Sequence, residues 1–187
     1  MSLETVHQTR RFTVDEVMTM VASGILAEDE PLELLRGELV VVSPQGPPHA
    51  TATSRMARTL YRAYAPPTLV REAKPLAVSD DSLPEPDFSI VEGDEDTFFE
   101  RHPRGDEAVL VIEVSYTSQQ ADHDKAAIYA SAMVPVYWLL DLKARRLEVH
   151  SEPEADGRYG VVRLLHESDE VELPRTRVRL RVGDLLR

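Results

Sequence analysis

The stretch AVLVIEVSYTSQQADHDKAAIYA, residues 108–130, decides the fold. Residues 108–115 read as a strand apolar on both faces, as central or parallel strands are. DHDKAAIYASAM, from Asp122, reads as a helix, and PVYWLLDL, from Pro135, as a second buried strand. Strand, helix and strand over 108–141 form a crossover unit, the connection that parallel strands require. One residue disturbs the pattern. Alternation puts Val109, Val111, Glu113 and Ser115 on one face. An ionised Glu113 there is costly unless it is paired or bound to a cation. Two readings stay open: a strand-end glutamate satisfied by an arginine or by solvent, or a ligand to a cation.

Upstream, TVDEVMTMVAS (13–23) is a helix with a capping box, Thr13 to Glu16, and an apolar stripe of Val14, Val17, Met18 and Val21. ELLRGELVVVS reads as a short helical turn that becomes a strand at Glu38–Ser43, with Gly37 as the break. HATATSRMARTLYRAYA (49–65) is a helix stopped by Pro66 and Pro67. TLVREAKPLAVS is extended on both sides of Pro75, and PDFSIVE is a short strand entered from Pro86. RRLEVHSEPEADGRYGVVRLLHE forms a hairpin closed by Asp156 and Gly157, and short strands follow. The fold class is therefore mixed α/β (α+β), with residues 12–187 as a single domain behind an N-terminal extension, 1–11.

The formal net charge is −12 over 187 residues. A general coater of nucleic acid is usually basic. An acidic balance suits a metal-dependent site better, because such a site is acidic until cations fill it. There are no cysteines, so thiolate metal sites, disulfides and cysteine nucleophiles are excluded. No apolar run approaches the length of a membrane span, and the expected location is cytoplasmic. Phosphate-loop, dinucleotide and serine-hydrolase motifs are absent, as is H-E-x-x-H. Carboxylates remain.

Asp87 opens a strand directly after Pro86. Alone, it reads equally as a turn or cap residue. If its strand neighbours the one carrying Glu113, the two carboxylates converge on one hard cation, which takes one or two carboxylates, often a carbonyl, and waters. Lys125 shares a helix face with Asp122 and Tyr129. It is either a solvated lysine paired with Asp122 or Asp124, or a cation reaching back over the strand end toward a metal. Arg55, Arg58 and Arg62 form one basic stripe, which is either a solvated helix face or a set of phosphate contacts. His49, opening its helix, is as well explained by structure as by function. His123, between Asp122 and Asp124, reads as part of a solvated turn. His102, His150 and His166 receive no role, and Tyr137 and Trp138 read as core.

PEPDFSIV, VLVIEVSYTS and DHDKAAIYASAMVPVYWLLD, with LELLRGELVVVSPQGPPHATATSRMARTL upstream, together resemble the bacterial Uma-two family of restriction-endonuclease-like proteins. That family belongs to the PD-(D/E)XK nuclease superfamily. The resemblance covers roughly residues 12–187. It implies a restriction-endonuclease-like core whose metal ligands are Asp87 and Glu113, with the Val114 carbonyl as a third. The superfamily lysine two residues after the glutamate is Ser115 here, which makes Lys125 the candidate on the following helix. Glu33 and Glu38 fall at upstream family glutamates, with Glu38 an added ligand or aid to the base, and His49 matches a family histidine. The family often has an aspartate where this chain has Ala121, which leaves the role of Asp122 open. The resemblance further implies Mg²⁺, replaceable by Mn²⁺, DNA as substrate and a homodimer. The alternative is a catalytically inactive module that keeps the fold and binds nucleic acid or a protein partner.

Overall fold

The computed structural model describes residues 9–116 and 119–186, and the backbone alone for residues 119–121. Most of the expected N-terminal extension, and the side chain of Ala121, lie outside the described residues.

Six strands form the central sheet in the order β3-β4-β5-β6-β7-β8. They are β3 (Thr68–Glu72), β4 (Phe88–Glu92), β5 (Ala108–Ser115), β6 (Val136–Asp141), β7 (Arg146–Glu154) and β8 (Arg158–His166). Only β5 and β6 pair in parallel; the other neighbours in this sheet are antiparallel. The crossover between β5 and β6 is helix α3 (Gln119–Ser131). This matches the sequence expectation, because two buried strands joined by one helix have few ways to pack other than side by side.

All eight residues of β5 are buried. One face of the sheet packs Leu110, Ile112, Trp138 and Leu140 against Ala52, Met56 and Leu60 of α2 (Pro47–Ala63) and against Val182 and Leu185 of α4 (Val182–Leu185). The other face packs Val111, Tyr137 and Leu139 against Ala126 and Tyr129 of α3. Each fully buried apolar side chain of this size contributes roughly 1.5–3 kcal/mol. Alternation fails at one place. The register shifts between Ile90 and Val91, and Val109 joins the α2 cluster rather than the one with Val111. A strand irregularity of this kind turns the neighbouring side chain to the opposite face.

Helix α1 (Val14–Ala22) has the expected capping box, with Thr13 and Glu16 bonding each other's backbone N–H. Of its stripe, Val17 is buried and Met18 is largely exposed. The expected helical turn at residues 33–36 is a strand instead. β1 (Leu32–Leu35) and β2 (Glu38–Val41) form an antiparallel hairpin across Arg36 and Gly37. Both turn residues have positive φ, 50° and 80°, the geometry of a tight hairpin that glycine favours. Leu34 also bridges to Leu83, which fastens the hairpin to the segment leading into β4. Helix α2 begins at Pro47, two residues before its expected start, so His49 lies in the first turn rather than at the cap. A last small sheet pairs β9 (Glu170–Glu172) with β10 (Arg179–Arg181). Among the described residues, no helix is long and apolar enough to cross a membrane.

Candidate active site

Because β4 and β5 are antiparallel, the start of β4 and the end of β5 meet at one edge of the sheet. Asp87, just before β4, therefore lies beside Glu113. The Asp87 N–H points at Glu113 Oε2 across 3.4 Å, and Asp87 Oδ2 accepts the Val114 N–H at 2.7 Å. His49 Nε2, from the first turn of α2, stands 3.1 Å from the same Oδ2. The Gln45 amide approaches Oδ1 at 3.4 Å.

Glu113 Oε1 accepts from the Tyr129 hydroxyl at 2.9 Å and from Lys125 Nζ at 3.2 Å. Both donors come from α3, one helical turn apart, as i and i+4 neighbours do. Lys125 Nζ also contacts both oxygens of Glu33, at 3.0 and 2.8 Å. Glu33 Oε1 in turn accepts the Glu85 N–H at 3.2 Å. Lys125 thus bridges a carboxylate of the β1–β2 hairpin and one of the central sheet. Glu33, Asp87, Glu113, Asp122 and Lys125 are all at most 9% exposed.

These groups line a cleft of about 570 Å³, together with Val114, Gln45, Glu85 and Tyr116. Its wall carries five carboxyl groups, from Glu33, Glu85, Asp87, Glu113 and Asp122, against one lysine and one histidine. The surplus shows in the proton affinities. Burial first, then the charges of Asp87, Asp122 and Glu33, push the Glu113 carboxyl up to about 8, although Lys125 opposes this. Burial and Glu33 also raise Glu85. Burial lowers His49, but the hydrogen bond to Asp87 and the nearby carboxylates outweigh it and leave the imidazole above its usual value. Burial works against the charge of Lys125 too, yet Glu113 and Glu33 hold it above the ordinary lysine range. A buried oxygen-rich cleft that is short of positive charge fits a hard divalent cation.

The structure brings together Asp87, Glu113, Val114, Lys125, Glu33, His49 and Asp122. It does not bring in Glu38. That side chain is exposed and lies 3.7 Å from Arg11, at the turn end of the hairpin where it pairs with Leu35, whereas Glu33 pairs with Val40 further from the turn. Ser115 is fully buried and outside the cleft lining, and its carbonyl accepts the Leu142 N–H at 2.8 Å. None of Arg55, Arg58 and Arg62 lines the cleft. Tyr129, Glu85 and Gln45 are additions that the sequence did not single out. Tyr129 was on the right helix face, but a tyrosine there reads as core until its hydroxyl partner is known.

A mixed sheet with a parallel β5–β6 pair, flanked by helices and carrying buried carboxylates at one strand end, is the architecture of a nuclease-like domain. The chain belongs to the Uma2 family, described as "Putative restriction endonuclease", whose model matches residues 18–182. In fold it is similar to the crystal structure of "a putative nuclease belonging to DUF820" from Anabaena variabilis, with a TM-score of 0.74 and 18% identity over 94% of this chain and 97% of that one. At that identity the likeness speaks to fold alone. No curated protein matches this chain.

Proposed function

We propose that the cleft hydrolyses DNA phosphodiester bonds with the help of a bound divalent cation. The observation that carries this reading is the pairing of Asp87 and Glu113 at one sheet edge, amid more carboxylates than the local cations balance. Asp87, Glu113 and the Val114 carbonyl would hold Mg²⁺, or Mn²⁺ in its place. Such an ion supplies charge neutralisation for the phosphate and lowers the pKa of bound water.

The chain's own residues do the rest. Tyr129 and Lys125 fix the Glu113 carboxylate from one side, leaving its Oε2 toward Asp87. The Val114 N–H and His49 fix Asp87 Oδ2, and among the described residues Oδ1 has only the long Gln45 contact. Lys125 is held protonated by its two glutamates. It therefore acts as a cationic donor, orienting water or steadying charge on the phosphate, and not as a general base. Asp122, beside it in the lining, adds negative charge. Cutting both strands with one cleft per chain calls for two copies, so the active form is a homodimer.

The test is cleavage of plasmid DNA in Mn²⁺ by the purified chain and by Asp87→Ala and Glu113→Gln. Activity should be lost in both. Undiminished cleavage by either variant removes the assignment. A second reading is a module without catalysis, favoured by the arginine stripe lying outside the cleft and by the net charge of −12. Calorimetry with Mn²⁺ separates the two, because a scaffold without catalysis needs no cation at Asp87 and Glu113.

A further inference from the structure

On the same face of the sheet, a second group of side chains stands apart from the cleft. β7 sends Glu148 and His150, two residues apart, to the face covered by α3. His123, on the first turns of α3, meets them. His150 Nε2 lies 3.5 Å and His123 Nδ1 3.7 Å from Glu148 Oε2, and the ligand atoms of the three residues all fall within 4.8 Å of one another. Glu148 and His150 are buried, and His123 is exposed.

We propose that His123, Glu148 and His150 bind a zinc-class divalent cation at a site distinct from the carboxylate cleft, tying α3 to β7.

The strongest support is His150. Its Nε2 is buried, lies outside hydrogen-bond geometry to Glu148, and finds no hydrogen-bond partner among the described residues. The ring cannot easily turn away. It packs between Tyr137 and Tyr159, with centroids at 5.3 and 5.7 Å. Tyr137 is anchored by donating to the Asp122 carbonyl at 3.0 Å, and Tyr159 by donating to the Val134 carbonyl at 2.9 Å. A buried nitrogen held by two rings, paired to a carboxylate oxygen at 3.5 Å without a well-formed hydrogen bond, is arranged as a ligand.

The glutamate is arranged in the same way. Arg146 donates to Glu148 Oε1 at 2.8 Å, which leaves Oε2 turned to the two imidazoles. An outer group that orients a liganding carboxylate is a regular feature of metal sites. Bond lengths of 2.0–2.2 Å in a tetrahedral zinc site put ligand atoms about 3.4 Å apart. The two histidine–glutamate separations already approach that, and the exposed His123 can close the rest by a side-chain adjustment. Two imidazoles and one carboxylate suit zinc better than a hard, oxygen-seeking ion such as Mg²⁺. Solvent on the His123 side supplies the fourth ligand and the entry path. The consequence reaches the cleft. His123 follows Asp122 and precedes Lys125 by two residues, so an ion here would hold the helix that carries Lys125.

The site does not depend on the nuclease reading and is tested apart from it. The full chain is stripped with EDTA and titrated with Zn²⁺ by calorimetry, and with Co²⁺ by visible absorption. With excess Mg²⁺ present throughout to fill the cleft, one Zn²⁺ should bind, and it should still bind after Asp87→Asn with Glu113→Gln, which empties the cleft of its pair. His123→Ala and Glu148→Gln should each weaken it by at least about tenfold, and excess Mg²⁺ should not displace it. Zn²⁺ should raise the Tm of the wild type and of the cleft variant, but not that of His123→Ala. His150→Ala tests the same point but removes a buried ring. If it does not fold, the exposed His123 decides. Equal Zn²⁺ affinity in wild type and His123→Ala, or loss of all Zn²⁺ binding in the cleft variant, overturns the proposal.

Discussion

Glu113 and Glu148 lie in one row across the sheet. Each faces Leu139 of β6, Glu113 from β5 and Glu148 from β7. Both are almost wholly buried. Their surroundings differ. Glu113 meets one lysine shared with a second glutamate, a tyrosine and further carboxylates, and burial together with those carboxylates raises its proton affinity against the lysine. Glu148 has its own arginine on one oxygen and two imidazoles near the other. The first environment has fewer cations than carboxylates and offers mostly oxygen ligands. The second is compensated on one side and offers nitrogen. The same residue type, in the same row of one sheet, is therefore given different surroundings by what its neighbouring strands and the helix above supply, and under the two proposals these suit different ions.

The largest effect that probes this contrast is on cleavage. Glu113→Gln should lower Mn²⁺-dependent DNA hydrolysis by at least about 10²–10³-fold, read as initial rates on plasmid. Next comes stability. Lys125→Met leaves Glu33 and Glu113 buried without their shared cation, and should cost about 3–5 kcal/mol in urea denaturation without metal. Part of that loss should return with Mn²⁺. A variant as stable as the wild type would mean that these carboxyls are satisfied without Lys125. Arg146→Met is the matching change beside Glu148. Arg146 is one-third exposed and the histidines remain, so the loss should be smaller, about 1–3 kcal/mol. Equal losses for the two variants would erase the contrast.

The smallest effect belongs to a third glutamate that water can reach. Glu107 takes hydrogen bonds from Arg101 at 2.7 Å on each oxygen. Chiefly through that pairing its carboxyl is lowered from 4.5 to about 2. A folded value below the unfolded one stabilises the fold above pH 4.5, and this contribution disappears as the pH falls through about 2. Solvent screening keeps it under about 1 kcal/mol. Glu107→Gln should lower the Tm slightly at pH 7, and by progressively less as the pH falls toward 2 and below.

The parts of the fold that were legible in sequence are local ones. β5, α3 and β6 each announce themselves by unbroken apolar runs or helical spacing, and the Asp156–Gly157 hairpin by its turn residues. The run LELL before Arg36 and Gly37 misled. Four residues are too few to separate a helical turn from a strand by period, and the contacts that settle it, the ladder to β2 and the Leu34–Leu83 bridge, lie outside the run. Position along the hairpin separates Glu33 from Glu38 as well: Glu33 pairs with Val40, while Glu38 pairs with Leu35 next to the turn. His123 was read as solvated because its neighbours in sequence, Asp122 and Asp124, face other directions. Its partners lie 25 and 27 residues further along the chain.

By itself, then, the sequence determined the strand–helix–strand unit and an anomalous Glu113 within it, with Asp87 and Lys125 as candidate companions. Apolar patterning and the cost of a buried charge are properties of short segments, and they are visible wherever the segment is. Only the tertiary structure decided which glutamate of the hairpin meets Lys125, that Tyr129 donates to Glu113, and that His123, Glu148 and His150 converge. Those outcomes depend on strand order, on register and on the seating of α3. Register is set by the packing of whole faces rather than by any one residue.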